Sequence, residues 1–186
     1  MDTFRPVARL VALLNAVPAA AEPDAVAIGQ LVTVLRDHGE DLESLASADA
    51  LELIQALDRL RDVLAIDDVD GAAVAINEIF DEVAARPRLS RHGGTAWHIH
   101  VDPDDADSGW GTWLLASSAL ALAGIIQEHA RRTWGRCEAA GCQRYFVGDG
   151  RGGARRYCST TCSSRARVAQ HRSRLRTSDV SGRTSR

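Results

Sequence analysis

Lysine is absent from this 186-residue chain, and all 22 of its basic residues are arginine. Arginine and alanine codons are both GC-rich, so base composition explains the bias and no mechanism is read from it. Cysteine is absent before position 137, and all four cysteines fall between Cys137 and Cys162. A secreted, disulfide-stapled protein would more often spread its cysteines through a small loop-rich chain. Long apolar runs are also missing. The longest, Trp113 to Ile126, is shorter than the ~20 residues a membrane span needs. The start, Met1-Asp2-Thr3-Phe4-Arg5-Pro6, lacks the basic segment followed by an apolar run that marks a signal peptide. These absences lead us to expect a cytoplasmic protein with reduced thiols and no membrane association. Neither a phosphate-binding glycine loop nor a nucleophile elbow occurs, and no enzymatic activity is expected.

Charge divides the chain. From Trp134 onward twelve arginines face only Glu138, Asp149 and Asp179, a net +9, whereas residues 1–133 carry −12. Opposed charge in two segments suggests two modules, with the basic one facing polyanions.

Periodicity predicts a helical N-terminal domain over residues 1–133. Phe4, Val7, Leu10, Val11 and Leu14 recur at three- and four-residue steps in a first helix ended by Pro18. Asp24 caps a second helix through Val26, Ile28, Leu31, Val34 and Leu35, which Gly39 ends. Ser47 caps a third, with Leu51, Ile54, Leu57, Leu60, Val63 and Leu64 on one face. Asp70 opens a fourth, carrying Val74, Ile76, Ile79, Phe80 and Val83 and stopped by Pro87. Arg88–His92 and Thr95–Val101 then read as two strands around Gly93-Gly94. On the second strand alternation places Trp97, Ile99 and Val101 toward the core, with His98, His100 and Asp102 on a solvated face. Trp110 to Arg132 is the central apolar helix.

The segment 134–177 carries the chemistry. Cys137-x4-Cys142 is followed, after fifteen residues, by Cys158-x3-Cys162. Two short cysteine pairs separated by such an insert are a zinc pattern, because Zn²⁺ takes four soft ligands in a tetrahedron. Gly141 supplies the permissive backbone of a tight knuckle. Arg144–Val147 and Arg155–Tyr157 resemble two strands joined by the turn Gly148–Gly153. Ser159 or Thr160 caps a helix running to about Arg176, with Val168 and Leu175 toward the hairpin. The fold class is therefore mainly α, a helical N-terminal domain with a small β-hairpin plus a C-terminal treble-clef-like zinc finger, and residues 178–186 form a disordered tail. One structural Zn²⁺ is expected on Cys137, Cys142, Cys158 and Cys162. Four thiolates leave no open position for catalysis. Arg155, Arg156, Arg165, Arg167, Gln170, Arg172, Arg174 and Arg176 are the candidate nucleic-acid contacts, with arginine suited to phosphates and Gln170 to a base edge.

Cys137-x4-Cys142, Tyr145-Phe146, the turn Asp149 to Arg151, Arg155-Arg156-Tyr157-Cys158-Ser159 and the segment Cys162 to Arg165 together resemble the CGNR zinc-finger family. Leu10-Val11-Ala12-Leu13-Leu14-Asn15 resembles the opening of the helical ABATE domain that precedes the finger in that family. The eponymous Cys-Gly-Asn-Arg reads Cys162-Ser163-Ser164-Arg165 here. The resemblance implies a bacterial DNA-binding transcription regulator with an N-terminal stress- or ligand-sensing domain. A pocket for a small-molecule effector would involve Asn15, Trp110 and Trp113. DNA, that effector and a second copy of the chain are the partners this reading admits. A protein-interaction adaptor and an RNA-binding module are the alternatives.

Overall fold

Five helices carry the first 130 residues, in the order that their apolar stripes predict. The computed structural model describes residues 4–91, 97–102, 108–148 and 155–183, with side chains described except at Phe4, Arg5, Asp102 and 173–183. The Gly93-Gly94 turn, most of the acidic loop after Asp102, and most of the Gly148–Gly153 turn lie outside the described residues. So do the side chains of Ser173, Arg174, Leu175 and Arg176.

The helices are α1 (Phe4–Ala16), α2 (Ala25–Asp37), α3 (Ser47–Ala65), α4 (Val69–Glu82) and α5 (Trp110–His129). Asp24 caps α2 as expected, its carboxylate accepting the Ala27 N–H at 2.8 Å. Two expected caps fall elsewhere. Asp68, not Asp70, adopts the extended backbone before α4 and accepts the Gly71 N–H at 2.6 Å. Ser47 is already inside α3, behind Ala46, which offers no side-chain acceptor. The α1–α2 corner is held by a buried cation. Arg61 donates to the Val17 carbonyl at 2.5 Å and to Asp58 at 2.6 Å, and Asp58 accepts the Ala20 N–H. Arg61 thus satisfies a carbonyl that the end of α1 leaves without a helical partner.

Leu10, Leu13, Leu31, Leu35, Leu53, Leu57, Leu60, Ile76, Ile79, Leu114 and Leu122 fill the core. At its centre α5 packs on α3, α4 and α1. Its first turn approaches α3 closely, because a Cβ on Gly111 would stand 2.9 Å from the Glu52 carbonyl oxygen. The Glu52 carboxylate accepts the Gly111 N–H at 3.3 Å and places negative charge at the positive end of α5. With 20 residues, α5 is long and apolar enough by length and composition to cross a bilayer, which corrects the shorter run counted in the sequence. Half of that span is buried inside the fold, and this packing accounts for its apolarity.

Val26, Leu51 and Val74, counted in the apolar stripes, are exposed. On α4 the close-packed face is taken by the small residues Ala72 and Ala75 together with Ile76 and Ile79, and Val74 is turned away from it.

The strands β1 (Arg86–Ser90) and β2 (His98–Asp102) pair antiparallel, with Leu89 opposite Ile99 and Arg88 opposite His100. Pro87 therefore sits inside β1 and does not itself stop α4. Only Val101 of the predicted inner face is buried; Trp97 and Ile99 are exposed. The base of the hairpin reaches the core and its upper part extends beyond it.

Candidate metal centre and nucleic-acid interface

After α5 the chain forms β3 (Trp134–Arg136), a knuckle, β4 (Tyr145–Val147) and α6 (Thr160–Arg183). The strand partner differs from expectation. β4 pairs with β3, Trp134 opposite Val147 and Arg136 opposite Tyr145, and not with residues 155–157. The reason is local. The Cys137 N–H donates to the Arg144 carbonyl at 2.8 Å, so the knuckle is the turn of the β3–β4 hairpin itself. The segment 155–157 runs beside the knuckle, where the Arg156 carbonyl accepts the Glu138 N–H at 3.0 Å.

In the knuckle the Cys142 N–H donates to the Ala139 carbonyl at 2.9 Å, and Gly141 has φ +74°, where a side chain would be strained. The second pair comes from the start of α6. Ser159 Oγ accepts the Cys162 N–H at 3.2 Å, which fixes the first turn and aims Cys162 back toward Cys158. Beyond that turn α6 departs from expectation twice. It continues to Arg183 in place of a disordered tail from residue 178, because neither proline nor glycine interrupts residues 160–181. Val168, assigned to the inner face, is 50% exposed. Among the described residues no other helix or strand packs on α6.

The four cysteines converge. Their Sγ atoms all lie within 4.8 Å of one another. Cys142 to Cys158 is 3.8 Å and Cys158 to Cys162 is 3.6 Å, far beyond a disulfide bond. A Zn²⁺ at ~2.3 Å from each sulfur sets sulfur–sulfur edges of about 3.8 Å, so the cluster fits that ion. Burial pushes the Cys137 thiol up, but donors from the backbone of Cys158 and Ala139 and from the Cys142 and Cys158 thiols bring it down to about 7. Burial and the crowding thiols of Cys162, Cys137 and Cys142 push Cys158 up to about 12, against the opposing pull of Ser159. Four thiolates this close coexist only around a cation. The cluster is the site of one structural Zn²⁺.

Residues 133–175 match the family model of the CGNR zinc finger. No curated protein matches the chain. The match spans the knuckle, the hairpin and the ligand-bearing part of α6, so the zinc-finger reading stands on sequence and geometry together.

The finger is not a free appendage. Trp134, 4% exposed, belongs to the helical core, and Tyr145 and Val147 pack against the same core. Phe146, between them, turns the other way, under the Arg155 guanidinium at 5.2 Å. Asn15 of α1 completes the outer edge of β4. Its amide donates to the Tyr145 carbonyl at 3.1 Å, and its oxygen accepts the Tyr145 N–H at 2.8 Å. Trp134, the first residue assigned to the finger from sequence, is thus a core residue of the helical unit.

The arginines fall into two groups. Arg155 donates to the carbonyls of Tyr157 (2.8 Å), Cys158 (2.5 Å) and Val147 (3.3 Å). Arg156 pairs with Glu138, Nε to Oε2 at 2.7 Å; the pair raises the arginine pKa and holds the carboxyl below its usual range. Arg165 reaches the Cys162 sulfur at 3.4 Å, where it offsets the negative charge of the thiolates. These three make their contacts within the finger itself. Among the described residues the Arg167 guanidinium bonds only Ser164, 3.2 Å away, and Gln170 and Arg172 are exposed. Arg174 and Arg176 follow on the same helix, their side chains outside the described set.

The three residues suggested for an effector pocket do not come together. Asn15 faces the finger and lines a cleft there, and neither tryptophan lines that cleft. Trp110 and Trp113 pack edge-to-face at 5.3 Å, and the buried Arg9 guanidinium lies 4.0 Å over Trp113. Arg9 also bonds Glu40 at 2.5 Å and Ser117 at 2.7 Å, while burial lowers its pKa against the pull of Glu40. Sequence reasoning missed Arg9. At 100° per residue Arg9 lies nearly opposite the stripe of Phe4, Val7, Leu10, Val11 and Leu14, so that stripe gave no signal for its burial.

Proposed function

We propose that this chain binds DNA through its zinc finger and acts in transcription regulation, with no enzymatic activity of its own and no membrane association. The observation that carries this reading is α6: a helix on which, beyond its ligand-bearing first turn, no other helix or strand packs among the described residues, with five arginines between positions 165 and 176 and no acidic residue before Asp179. At 100° per residue, positions 165, 172 and 176 follow one side of the helix and positions 167 and 174 the nearly opposite side. Between these two rows lie Ala166, Ala169, Gln170 and Ser173, which are small or hydrogen-bonding. A helix seated in a major groove needs this arrangement, with cations toward the phosphates of both strands and compact side chains toward the base edges. Arg165 serves both the zinc site and this row. The Zn²⁺ contribution is structural, fixing the first turn of α6 on the knuckle.

A salt titration of the zinc-loaded chain against duplex DNA, single strands and structured RNA tests the reading. Duplex DNA should bind most tightly, and each lost phosphate contact should reduce the log–log salt slope by about 0.9. Arg167→Ala should weaken binding to every sequence and lower that slope. Gln170→Ala should narrow the gap between preferred and random DNA. Preference for structured RNA would favour an RNA-binding module. Salt-insensitive binding unchanged by Arg167→Ala would favour a protein-interaction adaptor.

A further inference from the structure

An open cleft of ≈ 570 Å³ separates α1 from the finger. Val11 and Asn15 form its α1 wall, and Phe146 and Val147 contribute apolar surface opposite. Arg144, Arg155 and Arg165 reach it from three separate segments of the finger, and among the described residues no acidic side chain lines it. These cations are not equally engaged. Arg155 is held by three backbone carbonyls, and Arg165 leans on the Cys162 sulfur. The Arg144 side chain is exposed, and its guanidinium makes no hydrogen bond or ion pair with the described residues. Three of the four zinc ligands, Cys142, Cys158 and Cys162, line the cleft as well, but a tetrathiolate zinc of formal charge −2 does not neutralise three guanidinium groups.

We propose that this cleft binds a small organic anion, a carboxylate or phosphate monoester on a compact apolar body, with Arg144 and Arg165 as its charge partners. The volume lies within the roughly 300–1,000 Å³ typical of small-molecule sites, and the lining has their usual character, apolar walls with a few convergent polar groups. Duplex DNA is a poorer occupant. One wall is α1, part of a segment whose net −12 repels a polyanion at long range. A small anion feels mainly the nearby arginines, because charge more than about 8–10 Å away is screened at physiological salt. The ligand would touch α1 and the finger at once, beside the paired hydrogen bonds of Asn15 and Tyr145. Its binding energy would therefore favour the docked arrangement of the finger over any undocked one. This goes beyond the DNA reading and does not depend on it.

The test uses the zinc-loaded full chain, isotope-labelled for NMR, titrated with benzoate, phenyl phosphate and, as a neutral twin, benzamide. Expected are saturable shifts of the Asn15 side-chain amide and the Tyr145 backbone amide with an anion, and none with benzamide. Arg144→Gln should weaken anion binding at least tenfold, Arg144→Lys should recover part of it, and Arg36→Gln, at an exposed position of α2, should leave it unchanged. Equal shifts with benzamide, wild-type affinity in Arg144→Gln, or saturable shifts confined to other regions would overturn the proposal. If neither anion binds while duplex DNA moves the same two amides and loses affinity in Arg144→Gln, the cleft belongs to the DNA backbone and the proposal falls. DNA binding is measured separately, so loss of either reading leaves the other intact.

Discussion

Asn15 shows how one side chain can join two parts of a chain. Its amide supplies a donor and an acceptor in the geometry of a neighbouring strand, and β4 uses both. Replacing it by alanine leaves the Tyr145 N–H and carbonyl without these partners in a half-buried setting. Two hydrogen bonds at about 0.5–1.5 kcal/mol each predict a loss of about 1–3 kcal/mol for Asn15→Ala. Faster hydrogen exchange of the Tyr145 amide, with the four-cysteine site still metal-loaded, is the expected signature. Arg155 gives a second prediction. Because its guanidinium holds three carbonyls, Arg155→Ala should lower thermal stability and zinc retention with no DNA present, whereas Arg167→Ala should change neither. Equal melting temperatures for the two variants would contradict this division. The division also marks the limit of legibility at this scale. The zinc ligands could be read from sequence because metal chemistry demands short cysteine pairs. The roles of Arg155 and Arg156 could not, since a guanidinium suits a carbonyl, a carboxylate or a phosphate equally well until its neighbours are known. Asn15 was noticed for its place at the end of an apolar run, but its partner lies 130 residues away.

Helices were legible as elements because α1 to α4 each bury one stripe, and burial imposes a 3.6-residue period, while α5 was legible as a long apolar run. The β3–β4 pairing was not, because strands of three residues carry too little alternation and the partner depends on the knuckle closing into a turn. Assigning an inner face to α6 failed for a related reason. A helical wheel presumes a body to face, and α6 packs against no other element among the described residues. Val168 is thus half-exposed. Val168→Ser should change the unfolding free energy of the zinc-loaded chain by less than about 0.5 kcal/mol, as surface substitutions do. A cost of about 2 kcal/mol in chemical denaturation, the size expected for a buried aliphatic residue, would show that the helix packs after all. A lone helix is marginal in water, since tertiary packing supplies most helical stability in proteins. The outer turns of α6 should therefore gain circular-dichroism signal when saturating duplex DNA is added, and unchanged ellipticity would count against DNA as the partner of this helix.

For the whole molecule, charge and cysteine distribution suggested two modules, but the core that joins Trp134, Tyr145 and Val147 to the helices was not legible. Nothing in the local sequence announces that Trp134, Tyr145 and Val147 pack with the helices of the acidic segment. Zinc binding should consequently stabilise more than the finger. With the ion removed by a chelator, the cluster loses the charge that lets its thiolates approach, and the hairpin carrying Trp134 is no longer held at its far end. Losing a buried tryptophan costs about 3–5 kcal/mol, so helices α1 to α5 should remain helical but unfold at lower denaturant concentration. A fragment ending at residue 133 should show the same deficit. Protons should act as the chelator does. Cys158, pushed up to about 12 by burial and the neighbouring thiols, must lose its proton to bind zinc at any physiological pH. Cys137, at about 7, is largely ionised above neutrality and takes up a proton below it. Zinc affinity should therefore fall as pH falls, and more steeply below pH 7, where one further proton must be displaced. Competition against a chromophoric zinc chelator from pH 8 to pH 5.5, with denaturation of the helical unit followed in parallel, measures both. Zinc affinity and helical stability should decline over the same interval. A helical unit whose stability is indifferent to zinc loss would mean that Trp134 keeps its place without the metal.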